Sequence, residues 1–179
     1  MDRMMERLKV LVVDDNSHMI NIIKTILRGF SVKDFYDASD AAQAFKVVST
    51  VSIDLIITDY AMESVNGCEF TKLVRTAEDS PNHFVPVIML TAYAERSKVE
   101  AARDAGVTEF CAKPVTATEL YRKIVSIINT PRSFVRTSVY FGPDRRRRTN
   151  DHYKGAERRE KLFGPKSAPV LGISADAAT

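Results

Sequence analysis

Apolar residues fall along the first 130 positions in two alternating rhythms. Positions 8–13, 53–58 and 87–90 are nearly unbroken apolar runs, the pattern of strands covered on both faces. Shorter runs at 32–36 and 109–112 complete a set of five predicted strands. Between them the apolar residues return at helical spacing. Met19, Ile20, Ile22, Ile23, Ile26 and Leu27 form one such face, and Gly29 suits its C-terminal stop. Ser39 offers an N-cap to a helix over 41–49 that turns Ala44, Phe45, Val47 and Val48 inward. Gly67 breaks the loop before a helix carrying Phe70, Leu73 and Val74. A helix over 95–105 stops at Gly106, and a last one over 117–129 is ended by Pro131.

Five strands alternating with five helices predict an α/β fold with a doubly wound, five-stranded parallel sheet. Right-handed crossovers then place helices on both faces. Ligands of such sheets sit beyond the carboxyl ends of the strands. Residues 1–130 make one domain, and residues 131–179 a largely irregular tail without an output-domain fold.

Composition changes this picture in three places. The net charge of +3 is uneven: residues 1–130 hold 15 Lys+Arg against 18 Asp+Glu, and residues 131–179 hold 11 against 5. The basic character therefore belongs to the tail. The two cysteines, Cys68 and Cys111, have no metal-ligand spacing and read as small buried hydrophobes in a reducing compartment. No apolar stretch approaches the ~20 residues that cross a bilayer, and the start lacks an apolar signal core, so a cytoplasmic protein without membrane partners is expected.

Chemistry gathers where the strands end. Asp14 and Asp15 close the first strand, Asp59 the third, Thr91 follows the fourth, and Lys113-Pro114 follows the fifth. In a parallel sheet these groups share one edge, three carboxylates facing a hydroxyl and an amine. Crowded carboxylates favour a hard cation with oxygen ligands, and Mg²⁺ suits one that also meets phosphate. Asp59, alone at its strand end, is the candidate nucleophile; Thr91 supplies a donor and Lys113 a charge for a phosphoryl group. Taken singly, an Asp pair after a strand also reads as a turn or helix cap, a terminal Thr is commonplace, and Lys-Pro is usually a loop. Asp54, at the opposite end of the third strand, reads as solvated.

The segments Val12-Val13-Asp14-Asp15-Asn16, Ile56-Ile57-Thr58-Asp59-Tyr60-Ala61-Met62 with Gly67, Met89-Leu90-Thr91-Ala92 and Gly106 through Pro114 resemble the CheY-like receiver domain of bacterial two-component response regulators. The resemblance spans residues 8–130 and implies a flavodoxin-like sheet of order 2-1-3-4-5. It implies Mg²⁺-dependent phosphorylation of Asp59 by a histidine kinase or histidine phosphotransfer protein. It implies Mg²⁺ held by Asp15, Asp59 and the Ala61 carbonyl, with Asp14 acting through water, and a cis peptide before Pro114. It implies a switch in which Thr91 moves to the phosphoryl oxygen and Phe110 turns inward behind it; Phe110 also reads as a plain core residue. Output then runs through altered protein–protein contacts to an unknown downstream protein, with a homodimer through the same face as a further option. The family usually has proline where this chain has Glu63. Ala61 and Tyr93 flank the phosphate without orienting water, so no fast self-dephosphorylation is expected.

A different class, an Mg²⁺-dependent aspartyl-phosphate phosphotransferase or phosphatase, uses similar sheets. Against it, no cap domain is legible and Ala61 stands where such an enzyme has a second Asp, so no turnover beyond the chain's own phosphate is expected. A phosphate sink is the remaining alternative. The tail carries a repeat, Tyr140-Phe141-Gly142-Pro143-Asp144-Arg145-Arg146 and Tyr153-Lys154-Gly155-Ala156-Glu157-Arg158-Arg159, echoed at 162–165. Three readings apply: a solvated basic tail, a docking element whose residues 134–140 add a strand or pack on the last helix, and a nucleic-acid contact through Arg145–Arg148 and the aromatics. Tyr140, Arg145, Arg146, Tyr153, Arg158 and Arg159 are the expected contact residues.

Overall fold

The computed structural model describes residues 2–92, 96–146 and 160–162. Five strands, β1 (Lys9–Val13), β2 (Asp34–Ala38), β3 (Leu55–Asp59), β4 (Val87–Thr91) and β5 (Glu109–Ala112), form one sheet of order β2-β1-β3-β4-β5. Every pairing in it is parallel. The helices are α1 (Asp2–Glu6), α2 (Ser17–Gly29), α3 (Ala41–Thr50), α4 (Gly67–Thr76), α5 (Arg96–Asp104) and α6 (Ala117–Asn129). Side chains alternate across a strand, so β1 feeds both cores. Val10 and Val12 pack with Ile23, Leu27, Leu120 and Ile124 of α2 and α6. Leu11 and Val13 pack with Ala44, Val48, Phe70 and Val74 of α3 and α4. Both faces are thus dry, which is why the strands read as apolar runs.

The elements differ from the sequence expectations in identifiable ways. A sixth helix, α1, precedes the first strand and tucks Met5 into the core. Strand β2 begins two residues later than expected, because an edge strand tolerates the polar Asp34 and Asp37. Asp40, not Ser39, caps α3, accepting from the Gln43 amide at 2.8 Å. Gly29 is the last helical residue of α2, and the left-handed position falls at Ser31, φ 67°. On α4, Phe70 and Val74 are buried as expected, whereas Leu73 is 41% exposed and Arg75 is buried.

Beyond α6 the described residues include three short strands. Strands β6 (Phe134–Arg136) and β7 (Phe141–Pro143) form an antiparallel hairpin, and β8 (Glu160–Leu162) pairs with the other edge of β6. The hairpin sits against the amino-terminal ends of β4 and β5. Phe134 packs edge-on against Phe84 with ring centroids 5.0 Å apart, and Arg132 donates to the Thr108 carbonyl at 3.0 Å. The expected strand at 134–140 therefore forms in part, but it pairs within the tail rather than extending the main sheet or lying along α6.

Candidate functional site

Parallel pairing brings the ends of β1, β3, β4 and β5 to one edge, and the predicted residues meet there. Asp14 and Asp59 are buried, and Asp15 is exposed beside them. One carboxylate oxygen from each lies within 4.8 Å of the others. Lys113 Nζ stands 2.9 Å from Asp59 Oδ1 and 3.4 Å from Asp14 Oδ2. Its backbone amide donates to the Thr91 carbonyl at 2.8 Å, tying the two strand ends together. The Lys113–Pro114 peptide is cis. Thr91 is buried at the mouth of β4, and Ala61 is exposed two residues beyond Asp59. Phe110 is half-buried, packed with Met89, Ala102 and Val107. It lies on β5 but outside the carboxylate cluster. Tyr93 falls outside the described residues.

Backbone donors hold the carboxylates. The Asn16 amide donates to Asp14 Oδ1 at 2.9 Å, and the Tyr60 amide to Asp59 Oδ1 at 2.8 Å. Asp15 Oδ2 accepts from the Glu63 amide at 3.2 Å. Burial pushes the Asp14 carboxyl above its ordinary value, and the Asn16 amide and Lys113 oppose that rise. A cation held by oxygen ligands would offset the same desolvation. The donor set, three carboxylates and no sulfur or imidazole, suits Mg²⁺.

Two supports escaped the sequence reading. Gly67 begins α4 rather than breaking a loop, and a Cβ there would collide with the carbonyl oxygen of Asp59. Only glycine lets the helix seat so close behind the phosphoacceptor candidate. Asn66 caps that helix in a reciprocal box with Glu69, and the Asn-x-x-Glu spacing was the available signal. Asp54 departs from its expected solvation: it is half-buried and accepts from the Lys9 amide at 2.9 Å. Cys68 and Cys111 are free thiols that burial pushes up to about 11. Among the described residues no helix is long and apolar enough to cross a membrane.

In the tail, Tyr140 donates to the Pro143 carbonyl at 2.9 Å, and Arg145 stacks on its ring at 4.2 Å. Arg145 also meets Asp104 at 2.8 Å, and the Arg146 amide donates to Asp144 Oδ1 at 3.0 Å. The second motif, with Tyr153, Arg158 and Arg159, lies outside the described residues, as do Arg147 and Arg148.

Comparison with known proteins agrees with this geometry. The model of the response regulator receiver domain family matches residues 10–125. Chemotaxis protein CheY-3 of Vibrio cholerae serotype O1 is 33% identical over 122 residues, 68% of this chain and 92% of that protein. The solved structure of Vibrio cholerae CheY4 aligns with a TM-score of 0.62 at 27% identity, covering 67% of this chain and 98% of its own. The receiver domain of sensor histidine kinase PA1611 from Pseudomonas aeruginosa PAO1 aligns at TM-score 0.59 and 28% identity, over 66% of this chain and 94% of that one. That structure holds a magnesium ion in its active-site cleft. The family match ends before the hairpin begins.

Proposed function

The chain belongs to the response regulator receiver domain family of two-component signalling, and from that membership we propose that Asp59 is its phosphoacceptor. The observation that carries the assignment is the convergence of Asp14, Asp15 and Asp59 with Lys113 only 2.9 Å from Asp59. A carboxylate oxygen of Asp59 attacks the phosphorus of a phosphohistidine on a kinase or phosphotransfer protein. The new P–O bond makes an acyl phosphate as the P–N bond breaks, and the imidazole nitrogen keeps the electron pair. Asp15, Asp59 and the Ala61 carbonyl are the proposed ligands of Mg²⁺, with Asp14 acting through water, and the ion when bound would neutralise charge on the phosphoryl oxygens. Lys113 adds a fixed positive charge on the other side, and Thr91 lies at the adjacent strand end to donate a hydroxyl.

Output, in this reading, is a change in protein–protein contacts through Thr91 and Phe110 in a cytoplasmic protein, not turnover of a substrate. Self-association through the surface around α5 and β5 is one form such contacts take. The docking reading of the tail is favoured over nucleic-acid binding by one observation: Arg132, Arg136 and Arg145 each contact a group of the same chain, Thr108, Phe141 and Asp104 respectively.

Incubation of the full chain with Mg²⁺ and acetyl phosphate, followed by intact mass, tests the assignment. One phosphoryl group should be added, and none after chelation of Mg²⁺ or in Asp59→Asn. Phosphoryl transfer that survives Asp59→Asn, or turnover of generic phosphoesters, would overturn the reading.

A further inference from the structure

The hairpin fastens two elements that meet at the site. Helix α4 starts against the Asp59 carbonyl and carries Arg75 in its last turn, and β5 ends at Ala112, next to Lys113. At the opposite end of the molecule Arg75 is 2% exposed. Its Nε donates to the Gly106 carbonyl at 3.2 Å and its Nη1 to the His83 carbonyl at 2.8 Å. Its Nη2 finds no acceptor among the described residues, and Phe134 of the hairpin covers the guanidinium at 5.2 Å. Burial lowers Arg75 to about 9, so the cation remains charged at neutral pH. Next to it Gly142 lies directly on Gly106: a Cβ on Gly142 would come within 2.9 Å of the Gly106 Cα. Arg145 closes the contact on Asp104, the last residue of α5.

A phosphoryl group on Asp59 has to open the direct 2.9 Å contact between Lys113, just past β5, and Asp59, whose carbonyl meets the start of α4. The hairpin holds the far ends of these same elements together, Arg75 of α4 beneath Phe134 and the residues leading into β5 beneath Arg132 and Gly142. The conformer it grips is the one with Lys113 on Asp59.

We propose that residues 132–145 form an intramolecular clasp that opposes phosphorylation of Asp59, and that phosphorylation in turn loosens the clasp. This rests on the phosphoacceptor assignment. Coupling between two sites is reciprocal, so whatever releases the hairpin must favour the phosphorylated form by the same factor. The clasp uses Gly142 and Arg145, neither of which touches the site.

The test is a titration of the full chain with beryllium fluoride, a phosphoryl mimic, at saturating Mg²⁺. Wild type, Gly142→Val and Arg145→Ala are compared, and hydrogen exchange of residues 132–145 is followed. Gly142→Val should lower the half-saturating concentration by about fivefold or more. Arg145→Ala, which leaves the backbone contact intact, should act in the same direction by less. Saturation of the wild type should raise exchange in the hairpin. Nonspecific loosening of the fold would weaken binding rather than tighten it. Unchanged or weaker binding in both variants overturns the clasp while the site assignment stands. Failure of the wild type to bind overturns the site assignment, and the clasp with it.

Discussion

Glu63 serves the site through its backbone. Its N–H donates to Asp15 Oδ2 at 3.2 Å, and a proline in that place has no hydrogen to give. The residue that departs from the receiver pattern thus supplies a bond that the pattern omits. Glu63→Pro should weaken Mg²⁺ binding by about two- to tenfold, the range of one modest hydrogen bond, whereas Glu63→Ala should leave it unchanged. Calorimetric titration with Mg²⁺ distinguishes the two; equal losses would put the effect in the Glu63 side chain. Asp54 illustrates what a sequence conceals. Nothing in its neighbours along the chain shows that the Lys9 amide, 45 residues away, will bind it and take it out of water. Burial raises its carboxyl above the ordinary 3.8 even against that bond. The folded protein then holds the Asp54 proton more tightly than the unfolded chain does. This stabilising contribution is complete below pH 3.8 and is lost as pH rises through the elevated native value. Urea unfolding across pH should therefore show wild type gaining on Asp54→Asn as pH falls toward 3.8, with no such gain near neutrality.

Elements were legible where burial alone decides them. The strand ends of β1, β3, β4 and β5 follow from apolar runs buried on both faces, and they carry the site with them. Boundaries governed by local hydrogen bonds were not. Ser39 and Asp40 are both good caps, and only the dihedral angles at Asp40, with its oxygen on the Gln43 amide, choose between them. Asp40→Ala should cost about 1 kcal/mol in urea unfolding and Ser39→Ala much less. The face of α4 was misread for a different reason. Helical periodicity assigns Leu73 to the core and gives Arg75 no place in it, but Arg75 is covered by Phe134, almost sixty positions further along. A long-range cover of that kind leaves no mark on the spacing within the helix.

For the whole molecule, the alternation of strand and helix was enough to specify a doubly wound parallel sheet, whereas its order β2-β1-β3-β4-β5 followed only from the family resemblance. The tail was legible as a repeat and as a docking element, but the place where it docks was not. Its aromatic-x-Gly spacing makes sense only beside Gly106, where Gly142 must lack a side chain. Phe134 is the central cover, touching the Phe84 and Phe141 rings. Phe134→Ala should destabilise the receiver by about 3 kcal/mol, read as a fall in the urea midpoint of the main helical signal. An unmoved midpoint would mean that the hairpin contributes nothing to the rest of the fold. The order of synthesis adds a consequence. Proteins fold from the amino end as they emerge from the ribosome, and every strand of the main sheet precedes residue 113. The guanidinium of Arg75 and the ring of Phe84 therefore lack their cover until Phe134 has been translated, so a stalled or prematurely terminated chain exposes an aromatic-cationic patch that the hairpin covers in the finished protein.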